Sequence, residues 1–222
     1  MYAADKLVAY TEDRKNALEE FVYDTRSKLD ERYSQFVQPQ EKEQLLSMLG
    51  ESEDWLYTEE GEDASKSAYV SRLETLQKAA APVHFRWKEY DERPRAAAQL
   101  REVVNRYMSV FENEPEKYDH LSDDDKMKVI EKAATVGKWL DDYMYKQSEL
   151  PKNVEPKLTS DEILKKKDDV IYVCTPILTK PKPRVPVDTP KPEGNGEGAP
   201  QSEQQQQQQG NENQKQGEMD VD

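Results

Sequence analysis

ESEDWLYTEEGEDASKSAYVSRL, residues 51–73, decides the fold: an amphipathic helix ends on large apolar side chains, the chain turns at Gly61, and a second helical pattern starts. Trp55 and Leu56 close the first pattern; Tyr69 and Leu73, one turn apart, open the next. These four are the expected structural anchors of a shared core. Gly61 is expected to take the left-handed conformation that ends helices at little cost, and Ser65 or Ser67 to cap the helix that follows. Such a corner fixes two helices against each other and by itself assigns no function.

Upstream, residues 1–37 carry a helical stripe at Leu7, Thr11, Leu18, Val22, Thr25, Leu29, Tyr33 and Phe36, with charge on the opposite face. Gln38-Pro39 breaks it and starts a second helix with Leu45, Leu49, Ser52 and Leu56 on one face. Downstream of the corner, a third helix carries Tyr69, Leu73, Leu76 and Ala80 and is expected to stop at Ala81-Pro82. A fourth helical segment over about 83–112, with Val83, Trp87 and Tyr90 before Pro94 and Leu100, Val104, Tyr107 and Phe111 after it, should be kinked or interrupted at that proline. Ser122-Asp-Asp-Asp opens a fifth helix through Val129, Ala133, Val136, Leu140 and Met144. Thr159-Ser-Asp-Glu seeds a short sixth, with Ile163, Val170 and Cys174 inward.

Short links between amphipathic helices predict an all-α fold, an antiparallel bundle with a three-helix core plus additional C-terminal helices. The expected division is a bundle with a kinked fourth helix over 1–112, further helices packing on it over 113–178, and an acidic, Gln- and Pro-rich tail over 179–222. That tail has almost no apolar residues to offset the entropy of ordering it, so disorder is expected there.

The chain has 222 residues, Lys+Arg 32 against Asp+Glu 46 and a formal net charge of -14, of which -11 falls on residues 1–179. Nucleic acid and anionic membrane are therefore poor partners, and protein surfaces better ones. One cysteine, Cys174, excludes an internal disulfide framework and suits a reducing, cytoplasmic setting. No run reaches the ~18 apolar residues of a membrane span, and the N-terminal residues have neither a secretory nor a transit pattern.

For catalysis the chain offers only His84, His120 and Cys174, far apart and in unrelated contexts, with two surface imidazoles and a small buried thiol as their ordinary reading. It has no Cys-x-x-Cys or His-x-x-x-His spacing for a metal and no glycine-rich phosphate loop. Ser122-Asp-Asp-Asp lacks the alternating ligands of a calcium loop, and the glutamine run 204–209 reads as a polar spacer. The expectation is that the chain is not an enzyme and recognises partners by its surface.

Several pieces together resemble the C-terminal helical region of the 110-kilodalton heat-shock proteins, the large relatives of the 70-kilodalton chaperones. They are RKNALEEFVYDTRSKL at 14–29, EDWLY at 53–57 with GED at 61–63, YVSRL at 69–73, YDHL at 118–121, WL at 139–140, LPK at 150–152, CTPILTKPKP at 174–183 and EMDVD at 218–222. The resemblance implies the lid-like helical part of a substrate-binding region and its tail, with Met1 an internal start. An ATPase domain that carries the ATP, and a β-sandwich, would precede it, and no cofactor is expected within the chain itself. It further implies nucleotide exchange on a 70-kilodalton heat-shock chaperone, by binding that partner's nucleotide-binding domain, and holdase action on unfolded client proteins. Asn16 and Glu19 match the family's partner-facing edge and should project away from the Leu18, Val22 and Leu29 seam. The terminal Met-Asp-Val-Asp resembles endings that dock helical-repeat co-chaperones but departs from them in sequence. The alternative expectation is a helical adaptor without chaperone activity that binds basic protein surfaces.

Overall fold

The computed structural model describes residues 2–183, with side chains from residue 8 onward. The expected disorder of the tail, apart from its first residues, and the readings of the glutamine run and of Met-Asp-Val-Asp lie outside the described residues. Within them the chain is all-α: α1 (Tyr2–Asp30), α2 (Pro39–Leu56), a single turn α3 (Glu59–Glu62), α4 (Lys66–Asn113), a 3-10 turn (Pro115–Lys117), α5 (Asp123–Ser148) and α6 (Ser160–Leu178).

The ends of these helices follow side-chain chemistry. Gln38 and Glu41 form a reciprocal capping box ahead of Pro39, and Ser65, Ser122 and Thr159 each accept a backbone N–H at the start of α4, α5 and α6. Gly61, however, is not a left-handed cap. It sits inside α3, its φ lies outside the left-handed range, and the constraint on it is space: a Cβ there would stand 1.8 Å from the Trp55 carbonyl oxygen. Tyr69 closes the corner, its hydroxyl donating to the Gly61 carbonyl at 2.5 Å while Trp55 meets its ring edge-on at 5.6 Å.

The expected stop at Ala81-Pro82 is absent, and so is an interruption at Pro94. One helix, α4, runs 48 residues through both prolines. Each proline removes a backbone donor at a cost of about 3 kcal/mol. Both are exposed, as are Lys78 and Tyr90, whose carbonyls lose their partners, so water solvates the freed groups while the opposite face stays packed.

Two apolar clusters hang on this helix. The first gathers Leu18, Val22 and Leu29 of α1, Tyr33 and Phe36 of the turn, Leu45, Leu49 and Leu56 of α2, and Tyr69, Leu76 and Val83 of α4. The second gathers Ala97, Leu100, Val104 and Tyr107 of α4, Val129, Ala133 and Leu140 of α5, and Leu158, Ile163, Val170 and Cys174.

Between the clusters α4 buries charge. Arg86 (7% exposed), Glu89 (3%) and Arg93 (8%) continue the inward face where Val83 ends and Ala96 has yet to begin. Arg86 donates to both oxygens of Glu41 at 2.8 and 2.7 Å and to the Phe36 carbonyl at 2.8 Å. That pairing holds the Glu41 carboxyl below its ordinary range, against the opposing effect of burial. Glu89 accepts from the backbone N–H and the hydroxyl of Ser160 at 2.6 and 3.0 Å, so a carboxylate from α4 sits at the N-terminus of α6. Arg93 donates through Nε to the Leu158 carbonyl at 2.6 Å, and its burial pulls the guanidinium pKa down while Glu89 supports its charge.

Two pairs of substitutions test these assignments by urea denaturation. Gly61→Ala should lower stability by about 2 kcal/mol or more, because the added methyl meets backbone. Gly50→Ala, in the interior of α2 with nothing within 4 Å of its Cβ position, should raise it by about 0.5–1 kcal/mol. Glu89→Ala should cost about 2–4 kcal/mol, since it strands Ser160 and leaves Arg93 uncompensated. Its exposed neighbour Asp91, 3.6 Å from Arg95, should tolerate alanine within about 0.5 kcal/mol.

Candidate functional site

Asn16, Glu19, Tyr23 and Arg26 follow one another on α1 at steps of three and four, which places them along one face beside the Leu18 and Val22 seam. Asn16 is exposed; Glu19 is half-buried. The corner at the end of α2 faces this row. The Tyr57 hydroxyl donates to Glu19 Oε1 at 2.9 Å and lies 3.2 Å from the Tyr23 hydroxyl, and Arg26 donates to Glu53 Oε2 at 2.6 Å. The hydrogen bonds with Tyr23 and then Glu19 push the Tyr57 phenol above its usual range. The Arg26 contact holds the Glu53 carboxyl below its usual value.

The result is a ridge along α1 and the end of α2 with exposed aromatic rings, Tyr23 at 46% and Tyr57 at 63%, and fixed hydrogen-bonding groups between them. Tyrosine presents a rigid, amphipathic surface at low entropic cost, which suits a protein contact. Sequence reasoning placed Asn16 and Glu19 here but missed Tyr23, Arg26, Glu53 and Tyr57. The signal was available in part: Tyr23 and Arg26 lie four and seven residues after Glu19. The pairing with Tyr57 required the corner to be folded.

The four structural anchors lie behind the ridge. Leu56 and Tyr69 are buried in the first cluster, and Trp55 and Leu73 pack against it half-buried, with the Arg72 guanidinium 4.2 Å from the Trp55 ring centroid. Cys174 is fully enclosed, and burial raises its thiol pKa. His84 is exposed and meets the Tyr33 ring edge-on and the Trp87 ring at a tilt, but His120 is not a surface imidazole. Its side chain is 10% exposed and bonds through Nε2 to the Lys180 carbonyl at 2.8 Å. Among the described residues no group of three or more His, Cys, Asp or Glu side chains is placed to hold a metal, and no helix is long and apolar enough to cross a membrane.

Residues 1–89 match the family model described as Hsp70 protein. The chain is 39% identical over 182 residues to Heat shock 70 kDa protein 15 of Arabidopsis thaliana. It is 36% and 34% identical over 185 residues to human Heat shock 70 kDa protein 4L and Heat shock 70 kDa protein 4. Each match covers 82% of this chain and 22% of the relative, so the chain spans about a fifth of the length of these curated proteins.

These matches correct the expectation that the chain is not an enzyme. The Hsp70-family homologues are ATPases, and the catalytic groups missing from one fifth of such a protein do not make it a non-enzyme. Over 82% of its length this chain is homologous to Hsp70-family heat shock 70 kDa proteins.

Proposed function

We propose that this chain is a helical module by which a large heat-shock chaperone binds the nucleotide-binding domain of a 70-kilodalton partner and assists nucleotide exchange there. The observation that carries the reading is the ridge of Asn16, Glu19, Tyr23 and Tyr57: it lies within the stretch matched by the family model and leaves exposed hydrogen-bonding and aromatic groups in a fixed arrangement. Asn16 and Glu19 are the proposed partner-binding residues, with Tyr57 orienting the Glu19 carboxylate.

On this reading ATP is bound outside the chain, in a domain accounting for part of the relatives' remaining length, and the whole works in the cytoplasm. A holdase contribution toward unfolded proteins would draw on exposed apolar side chains of α5 and α6, among them Met127 at 59%, Tyr145 at 68% and Tyr172 at 81%.

The test uses the full-length protein that carries this chain, titrated against a 70-kilodalton partner loaded with labelled nucleotide. Asn16→Ala with Glu19→Ala should weaken binding and slow assisted nucleotide release together by about 30-fold, as expected for two lost interfacial hydrogen bonds of about 1 kcal/mol each. Tyr57→Phe should have a smaller effect in the same direction. Unchanged affinity and release in the double variant would overturn the residue assignment. Failure of the intact protein both to accelerate release and to suppress aggregation of a heat-denatured client would favour the adaptor reading instead.

A further inference from the structure

The turn at 31–38, the charged segment of α4 and the connection from α5 to α6 enclose a cavity of about 490 Å³ that shares no residue with the ridge. Its volume suits a small ligand. Met144, Leu150 and Val154 give it an apolar wall, and Phe36 and Tyr90, whose ring centroids stand 5.3 Å apart, add aromatic surface.

Three cations line the same cavity, Arg86, Arg93 and Lys152, against one carboxylate, Asp91, which is paired with Arg95 at 3.6 Å. Arg86 is answered by both oxygens of Glu41 and, beyond ion-pair distance, by Glu155. Arg93 has no such partner. It is buried, it donates through Nε to the neutral Leu158 carbonyl, and it forms no ion pair among the described residues. The carboxylate that supports its charge, Glu89, accepts from Ser160 through both oxygens. Lys152, on the connection, donates to the neutral Gln35 amide at 2.7 Å and holds its ammonium 4.3 Å from the Tyr90 ring centroid, again with no carboxylate partner among the described residues. Positions 86, 90 and 93 are about one turn apart on α4, so Tyr90 lies between the two guanidiniums and brings Lys152 to the same side of the cavity.

A guanidinium stays charged at any ordinary pH, so a buried one without a counter-ion is destabilising until an anion reaches it. Among anions a carboxylate fits best, because its two oxygens match the planar fork of N–H donors. The apolar wall adds a second requirement. A bare, hydrated ion gains nothing from Met144, Leu150 and Val154, whereas an anion with a hydrocarbon body removes that body and the wall from water together.

We infer that this cavity binds a small organic carboxylate, its carboxylate group held between Arg93 and Lys152 and its apolar body laid against Met144, Leu150 and Val154. The ligand supplies the counter-charge that the buried segment of α4 lacks, so its occupancy stabilises the folded chain.

Isothermal titration calorimetry of the full chain with hexanoate at low salt tests this. Hexanoate should bind at least about 10-fold more tightly than either hexanol, which lacks the charge, or acetate, which lacks the body. Lys152→Glu should weaken hexanoate binding at least about 5-fold, by placing a like charge beside the carboxylate. Lys152 is exposed, and circular dichroism should show the variant folded. Hexanoate should also raise the urea midpoint of the unaltered chain more than that of the variant. No hexanoate binding at millimolar concentration, or binding indifferent to Lys152→Glu, would overturn the site. Hexanol as tight as hexanoate would leave an apolar cavity only, and acetate as tight as hexanoate an ion site only; either result would overturn the assignment of an organic carboxylate.

Discussion

Three charged residues on one face of α4 set the terms for everything around them. Arg86, Glu89 and Arg93 are buried where an apolar stripe would be the cheaper choice, and each reaches a different neighbour: Glu41 and the Phe36 carbonyl, Ser160, and the Leu158 carbonyl. A buried charge left unpaired costs several kcal/mol, so these partners cannot drift. The turn after α1, the start of α2 and the start of α6 are thereby held to a single helix. Apolar packing on either side would tolerate a rotation or slip; directional, charge-assisted bonds do not.

Continuity of α4 turns that local constraint into an architecture. The helix carries the first cluster on its N-terminal half and the second on its C-terminal half, and the polar joint separates them. Because the corner at Trp55 and Tyr69 fixes α2 against the start of α4, and α1 packs on both, the ridge of Asn16, Glu19, Tyr23 and Tyr57 is supported from behind by buried side chains. The same joint leaves beside it a cavity lined by Arg86 and Arg93 on one side and Met144, Leu150 and Val154 on the other, so the ridge and this cavity both follow from how α4 is held.

Much of this was legible in sequence. The stripes through Leu18, Val22 and Leu29, through Leu45 and Leu49, and through Val129, Ala133 and Leu140 have the helical period and are buried, and Ser65, Ser122 and Thr159 cap where their chemistry predicts. The proline positions misled because the cost of a proline depends on which face it occupies: Pro82 and Pro94 lie on the wet side of a helix whose dry side is packed at Ala80, Val83 and Ala97. Gly61 was assigned to backbone freedom, whereas its requirement is the nearness of the Trp55 carbonyl, a contact invisible until the corner closes. The buried Arg86, Glu89 and Arg93 have no signal in the sequence, because a helical pattern separates apolar from polar faces and carries no sign that a charge has a buried partner 45 to 71 residues away. Of the ridge, Asn16 and Glu19 came from family resemblance, while Tyr57 joined them only through tertiary contact.

The central claim is that the polar joint on a continuous α4 couples the two clusters into one cooperative unit. The chain's three tryptophans divide between them, Trp55 and Trp87 against the first and Trp139 against the second, so variants retaining Trp55 alone or Trp139 alone report on each separately. Urea unfolding followed by fluorescence in these two variants is the direct measurement, with far-ultraviolet circular dichroism as a common reference. Coincident transitions with the same midpoint and slope are expected if the joint couples the clusters. Two separated transitions, with Trp55 and Trp139 reporting different midpoints while circular dichroism shows both steps, would contradict it.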